Sequence, residues 1–202
     1  MATLIDIQSF LDQFQLIGKT SSLWIKHVLN DFPKFVADHA SNERKASAMC
    51  MDFVVRYPDH TSLVTTANRI AIEELNHFRQ VYEEMKKHGF PLRPDEKDPY
   101  IRYLLKAVRT DPKGRFMDRL LVCSLVEMRG VERFYILSQH HPEASWRLFY
   151  EKFYYSERGH GHAFYHEALK IFPPEDVTQR FMELIQVEGQ ALISTPITYR
   201  FH

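Results

Sequence analysis

Two segments of this chain repeat one pattern, Glu74-Leu75-Asn76-His77 and Glu157-Arg158-Gly159-His160. Residues three apart share a helical face, so in a helix each Glu and its His can reach one ion. A single Glu-x-x-His says little, because this many Glu and His in 202 residues give about 0.8 such pairs by chance. Two pairs, each with another Glu at a matching distance upstream, say more. Glu43 precedes Glu74 by 31 residues, and Glu127 precedes Glu157 by 30.

All six residues interrupt apolar stripes. Glu43 lies with Val36, Ala40, Cys50 and Val54, and Glu74 and His77 lie with Leu63, Ala67, Ile70 and Val81. Glu127 is flanked by Leu120, Cys123 and Phe134, and Glu157 and His160 by Trp146, Phe153 and Phe164. Charge facing a core is expensive unless it is paired. Two divalent metal ions would neutralise four carboxylates, and two imidazoles would complete the donor set. The competing reading pairs these groups with inward Arg or Tyr.

Several neighbours bear on that choice. Glu132 rivals Glu127, but it stands only 25 residues before Glu157 and breaks the symmetry. Glu127 is therefore taken as the ligand, with Glu132 behind it. His39, one turn before Glu43, is placed to orient that carboxylate. Glu73 shares a face with Arg69, Asn76 and Gln80 and reads as solvated, while His162 and His166 fall off the Glu157 stripe. Gly130, Gly159 and Gly161 lie inside helical patterns, where close packing or room for a small ligand would explain them.

Bringing the six residues to one level requires two antiparallel helical hairpins. Periodicity and turn residues predict them over 34–89, turning at Tyr57-Pro58-Asp59 with Thr61 or Ser62 as a cap, and over 115–172, turning at His141-Pro142. Short helices are expected over 4–17 and 21–30 and a final one over 175–193, before an irregular ending, TPITYRFH. The connector 90–114 holds Pro91, Pro94, Pro99 and Pro112, with one helix over about 100–109. The reading is one all-α domain over 1–202, a ferritin-like four-helix bundle of two long hairpins joined by a crossover.

Composition agrees. The chain is 45% hydrophobic with 15 Phe and 10 Tyr, enough to bury a core, and only seven Gly accompany the helical patterns. Cys50 and Cys123 form no framework and most simply fill the core. No secretory signal or membrane-length apolar run is visible, so a cytoplasmic protein is expected. Lys+Arg and Asp+Glu balance at 26 each, which removes any global argument for nucleic acid.

Four segments carry a resemblance: DHASNERKASA (38–48), AIEELNHFRQVYEEMKKHGFPLRP (71–94), DRLLVCSLVEMRGVERF (118–134) and FYEKFYYSERGH (149–160). With the ending TYRFH, they resemble the tRNA 2-methylthio-isopentenyladenosine hydroxylase family over nearly the whole chain. The resemblance implies a ferritin-like non-haem diiron monooxygenase that hydroxylates the isopentenyl group of the modified adenosine next to the anticodon. It implies two iron ions on Glu43, Glu74, His77, Glu127, Glu157 and His160, with dioxygen and an external reductant. Glu127 and one Glu of a Glu-x-x-His pair are expected to bridge the ions. With no rubredoxin-like cysteines, electrons are expected from a separate reductase. The chain departs from the family pattern at Asn42, at Met128, Gly130 and Val131, and at Arg158, Gly159 and Gly161, neighbours that shape the pocket.

A tRNA partner needs a surface for phosphate. Residues 86–119 hold ten Lys and Arg against five acids, and Arg102, Lys106 and Arg109 are expected on one face of the connector helix. The anticodon arm is the expected partner of a monomer or small homo-oligomer.

Overall fold

Capping chemistry sets the helix boundaries. Ser21 accepts from the Leu23 backbone N–H at 3.2 Å and opens α1, Ser22–Asn30. Pro33 occupies the first turn of α2, Phe32–Arg56, where no N–H is needed. α3, Thr61–His88, ends on Gly89, whose φ of 69° lets the Phe90 N–H reach the Met85 carbonyl at 2.8 Å. Asp98 accepts from the Tyr100 and Ile101 N–H groups to start α4, Pro99–Lys106, and Asp111 accepts from Gly114 to start α5, Pro112–His140. α6 (Ala144–Glu157), α7 (His160–Ile171) and α8 (Pro174–Ser194) follow. This computed structural model describes residues 16–201.

α2 pairs with α3, α5 pairs with α6 and α7, and a crossover containing α4 joins the two hairpins. That connectivity makes the fold a ferritin-like four-helix bundle. No strand occurs among the described residues.

The helix expected over 4–17 lies outside the described residues apart from Leu16 and Ile17, which are not helical. Elsewhere the details differ from the sequence expectations in three places. Neither Thr61 nor Ser62 caps α3: His60 is the N-cap, and the Ser62 hydroxyl donates to Glu167 instead. The connector helix stops at Lys106, three residues early. The helix expected over 144–172 is interrupted at Arg158-Gly159, where dihedrals stay right-handed but the regular hydrogen bonding lapses.

Two apolar clusters fill the bundle. One gathers Phe53, Leu63, Ile70, Leu120 and Phe164, and the other Phe35, Val81, Phe134, Trp146 and Phe153. All four bundle strands of helix pass from one cluster to the other. In α2 the change falls between Ala40 and Cys50, in α3 between Ala71 and Val81, in α5 between Leu125 and Phe134, and across α6 and α7 between Phe153 and Phe164. The inward Glu and His residues stand at those changes, so they form one polar layer between two cores.

A second buried network ties the outer elements to α5. Arg129, fully buried, donates to Glu188 of α8 at 2.8 and 3.0 Å, to the Gly18 carbonyl at 2.8 Å and to Glu132. Tyr100 of α4 donates to the same Glu188 at 2.8 Å.

Candidate metal centre

Within the polar layer, Glu43, Glu74, His77 and Glu157 each offer a donor atom within 4.8 Å of the others. Glu74, Glu127, Glu157 and His160 form a second such group. Glu74 and Glu157 belong to both. Glu43 and Glu127 each belong to one of them, whereas Glu127 and one Glu of a Glu-x-x-His pair were the expected bridges. Antiparallel packing of α3 against the α6–α7 strand explains this, because it sets the two Glu-x-x-His motifs face to face.

His77 Nδ1 lies 2.5 Å from Glu157 Oε1, 3.6 Å from Glu43 Oε2 and 3.7 Å from Glu74 Oε2. His160 Nδ1 lies 2.7 Å from Glu74 Oε1 and 2.5 Å from Glu157 Oε2. Both Nδ1 atoms, Glu74 Oε1 and both Glu157 oxygens are buried, yet none makes a hydrogen bond of acceptable geometry. Donor atoms crowd together here without pointing at one another, as ligands converging on a shared ion do. The other ring nitrogens face outward and are held: His77 Nε2 by Ser156 Oγ at 2.8 Å, His160 Nε2 by Glu73 Oε2 at 2.8 Å. Metal-binding imidazoles are oriented in this way. The set of four carboxylates and two imidazoles fits two divalent ions and is compatible with iron.

Burial alone would lower both imidazoles, but Glu157, Glu43 and Glu74 hold His77 up at about 12, and Glu157 and Glu74 do the same for His160. Burial, reinforced by Glu74 and Glu157, pushes Glu43 and Glu127 well above the carboxylate range. Against its own burial, the two imidazoles hold Glu74 well below that range.

The remaining sequence candidates divide. His39 is fully buried with Nε2 2.6 Å from Glu43 Oε1, as expected of an orienting residue, and burial lowers it to about 3. Glu132 is corrected: it accepts from Thr20 N–H at 3.0 Å, from Thr20 Oγ1 at 2.6 Å and from Arg129, away from the cluster. Glu73, read as solvated, is corrected too, since it bridges Arg69 and His160. Ser156 and Glu73 both adjoin a cluster Glu in sequence, which is the signal that could have found them. Gly161 is explained by packing, because a Cβ there would lie 2.9 Å from the Ser124 carbonyl oxygen and 3.0 Å from Met128 Cγ.

A cavity of about 580 Å³ opens onto the layer. Glu43, Glu74, Glu127 and Glu157 stand at its inner end, Met49, Val122, Val126 and Ile101 line its walls, and Lys97 and Arg102 reach its rim. Lys97 and Arg102 are exposed and form no ion pair with a described residue. The nearby acids are engaged elsewhere: Glu96 with Arg200, and Asp98 in capping α4. Lys106 is exposed on the same helix. Arg109 is a correction, since it lies beyond the end of α4 and its guanidinium holds Asp118 at 2.7 Å.

A family profile described as tRNA-(MS[2]IO[6]A)-hydroxylase (MiaE) matches residues 4–202. The chain belongs to this family. A relative from Pseudomonas putida, the tRNA 2-(methylsulfanyl)-N(6)-isopentenyladenosine(37) hydroxylase, is 33% identical over 203 residues, covering 100% of this chain and 96% of that protein. The Salmonella typhimurium protein of the same name is 30% identical over 170 residues, 84% of this chain and 60% of its own. Among solved structures, the protein from Synechococcus described as having aldehyde deformylating oxygenase activity superposes with a TM-score of 0.86 at 29% identity, covering 93% of this chain and 94% of that one. The family resemblance read from the four sequence segments is thus established, together with the helical architecture. No helix among the described residues is long and apolar enough to cross a membrane.

Proposed function

We propose that this chain hydroxylates the isopentenyl group of 2-methylsulfanyl-N6-isopentenyladenosine in tRNA, acting in the cytoplasm on the anticodon arm. The observation that carries this reading is the cavity: apolar walls run from four carboxylates to exposed cations. A prenyl group suits the walls, and phosphates suit Lys97 and Arg102 at the rim. A modified base reaches the inner end only when unstacked, which a single-stranded loop allows.

In this reading Glu43, Glu74, His77 and Glu157 would hold one iron ion, and Glu74, Glu127, Glu157 and His160 would hold the other. Bound iron would supply the dioxygen activation needed to oxidise a C–H bond of the isopentenyl group, with electrons from a separate reductase. The chain's own residues do the rest. Ser156 and Glu73 fix the imidazole orientations, His39 holds Glu43, and the apolar walls exclude water and set the prenyl group beside the carboxylates.

The test uses protein loaded with ferrous iron, a chemical reductant, dioxygen and tRNA carrying the modified base. Digestion and mass spectrometry should show the nucleoside gaining one oxygen atom, derived from labelled dioxygen. An unchanged nucleoside mass with iron-loaded protein defeats the proposal.

A further inference from the structure

Past α8 the chain returns to the cavity. Phe201 is buried and lines the cavity beside Glu43 and Phe134. Its ring centroid lies 4.6 Å from that of Phe134 and 5.4 Å from the His39 imidazole, whose Nε2 holds Glu43. The backbone around it is fixed from three directions. The Phe201 N–H donates to Asp38 Oδ2 at 2.8 Å, the buried Arg133 guanidinium donates to the Phe201 carbonyl, and Trp24 Nε1 donates to the Arg200 carbonyl at 2.8 Å. Burial alone would accept any apolar side chain. Three directed backbone contacts instead locate one ring at one place on the wall, which is how a binding surface is held rigid.

We propose that Phe201 is a specificity-determining residue. With Phe134 it closes the cavity beside Glu43 and limits how far an apolar group can extend along the carboxylates. The identity of that group, an isopentenyl chain, rests on the function proposed above, whereas the wall itself does not. Asp38 is the positioning residue for Phe201, acting through the backbone contact. A rigid aromatic wall discriminates by size, and a change of a few methylenes in the space it leaves alters selectivity about tenfold or more.

The test compares the full-length chain with Phe201→Ala, Phe201→Leu and Asp38→Ala, the last leaving the ring intact while releasing its backbone. Calorimetry with straight-chain 1-alkanols of increasing length reads the cavity directly. In the unaltered chain, affinity should rise with length and then stop rising. Phe201→Ala should move that limit to longer alkanols, with Phe201→Leu between and Asp38→Ala in the same direction. On tRNAs bearing isopentenyl or a bulkier prenyl group, the kcat/KM ratio should shift about tenfold toward the bulkier one in Phe201→Ala. Unchanged alkanol limits in variants that keep their helix content overturn the proposal. So does loss of iron without a change in limit, which makes Phe201 a packing support for His39. Should Phe201→Ala fail to fold, Phe201→Leu and Asp38→Ala carry the test. If no prenylated tRNA is hydroxylated by the unaltered chain, the function falls and the alkanol series still decides Phe201.

Discussion

Glu73 Oε2 lies 2.8 Å from His160 Nε2, on the ring nitrogen opposite the one that meets Glu74 and Glu157. Arg69 holds the same carboxylate at 2.8 Å from the solvent side. The adjacent residues Glu73 and Glu74 thus grip one imidazole from both of its nitrogens. Replacing Glu73 with Gln keeps the size but removes the charge. Iron affinity should fall about tenfold, with the optical spectrum of the loaded protein altered and the helix content unchanged. Titration with ferrous iron under anaerobic conditions checks this, and an unaltered affinity and spectrum would contradict it.

The shared position of Glu74 and Glu157 gives the variants an order. Glu74→Gln removes a donor from both groups and should abolish retention of both ions. Glu127→Gln touches one group and should leave about one ion per chain. Metal analysis after gel filtration distinguishes the two, and equal losses would refute the shared arrangement.

Stability of the ion-free protein should run against the usual trend with pH. Glu43 and Glu127 have folded-state values above their ordinary 4.5, so their contribution declines as pH rises past that point. His77 and His160, raised from 6.5 to about 12, contribute fully below 6.5 and lose that contribution as pH climbs toward 12. Glu74, held below its ordinary value, sets the acid limit, because its contribution is lost as pH falls below 4.5. The ion-free melting temperature should therefore drop between about pH 5 and pH 8, while the increment gained on adding metal should grow, since loading displaces those protons. Melting curves with and without metal at several pH values test both signs.

The cationic rim makes a separate statement. Arg102→Ala and Lys97→Ala should each weaken tRNA binding and lower the salt dependence of the binding constant by about one unit on a log–log plot. Arg109→Ala should leave that slope unchanged and lower the melting temperature instead, because it strands the buried Asp118 with Arg180 as its remaining partner. A salt slope that Arg102→Ala does not change would remove Arg102 from the RNA surface.

The main ligand candidates were legible because charge inside an apolar stripe needs an explanation, and the 31- and 30-residue spacings made it a shared one. Glu73 escaped because its helical face is solvent-exposed, while its long side chain reaches sideways to the next helix. Glu132 misled because its apolar neighbours hid a partner 112 residues away, Thr20. The break at Arg158-Gly159 was hidden as well: the segment carries no proline, and the dihedrals there remain right-handed. Arg109 failed for the simplest reason, a helix that ended one turn early.

The polar layer between the two apolar clusters has a consequence for how this protein comes apart. A continuous core unfolds as one unit, whereas here two buried apolar clusters meet at a layer of carboxylates and imidazoles and at the interrupted turn of Arg158-Gly159. Ions held by this cluster would join all four helical strands at one level and make the halves one cooperative body. Without them, amide hydrogen exchange should reveal two units opening at different free energies, meeting at the level of Glu74 and Glu157. Metal would then act as the weld along a seam, and its arrival would be the step that turns two folding units into one.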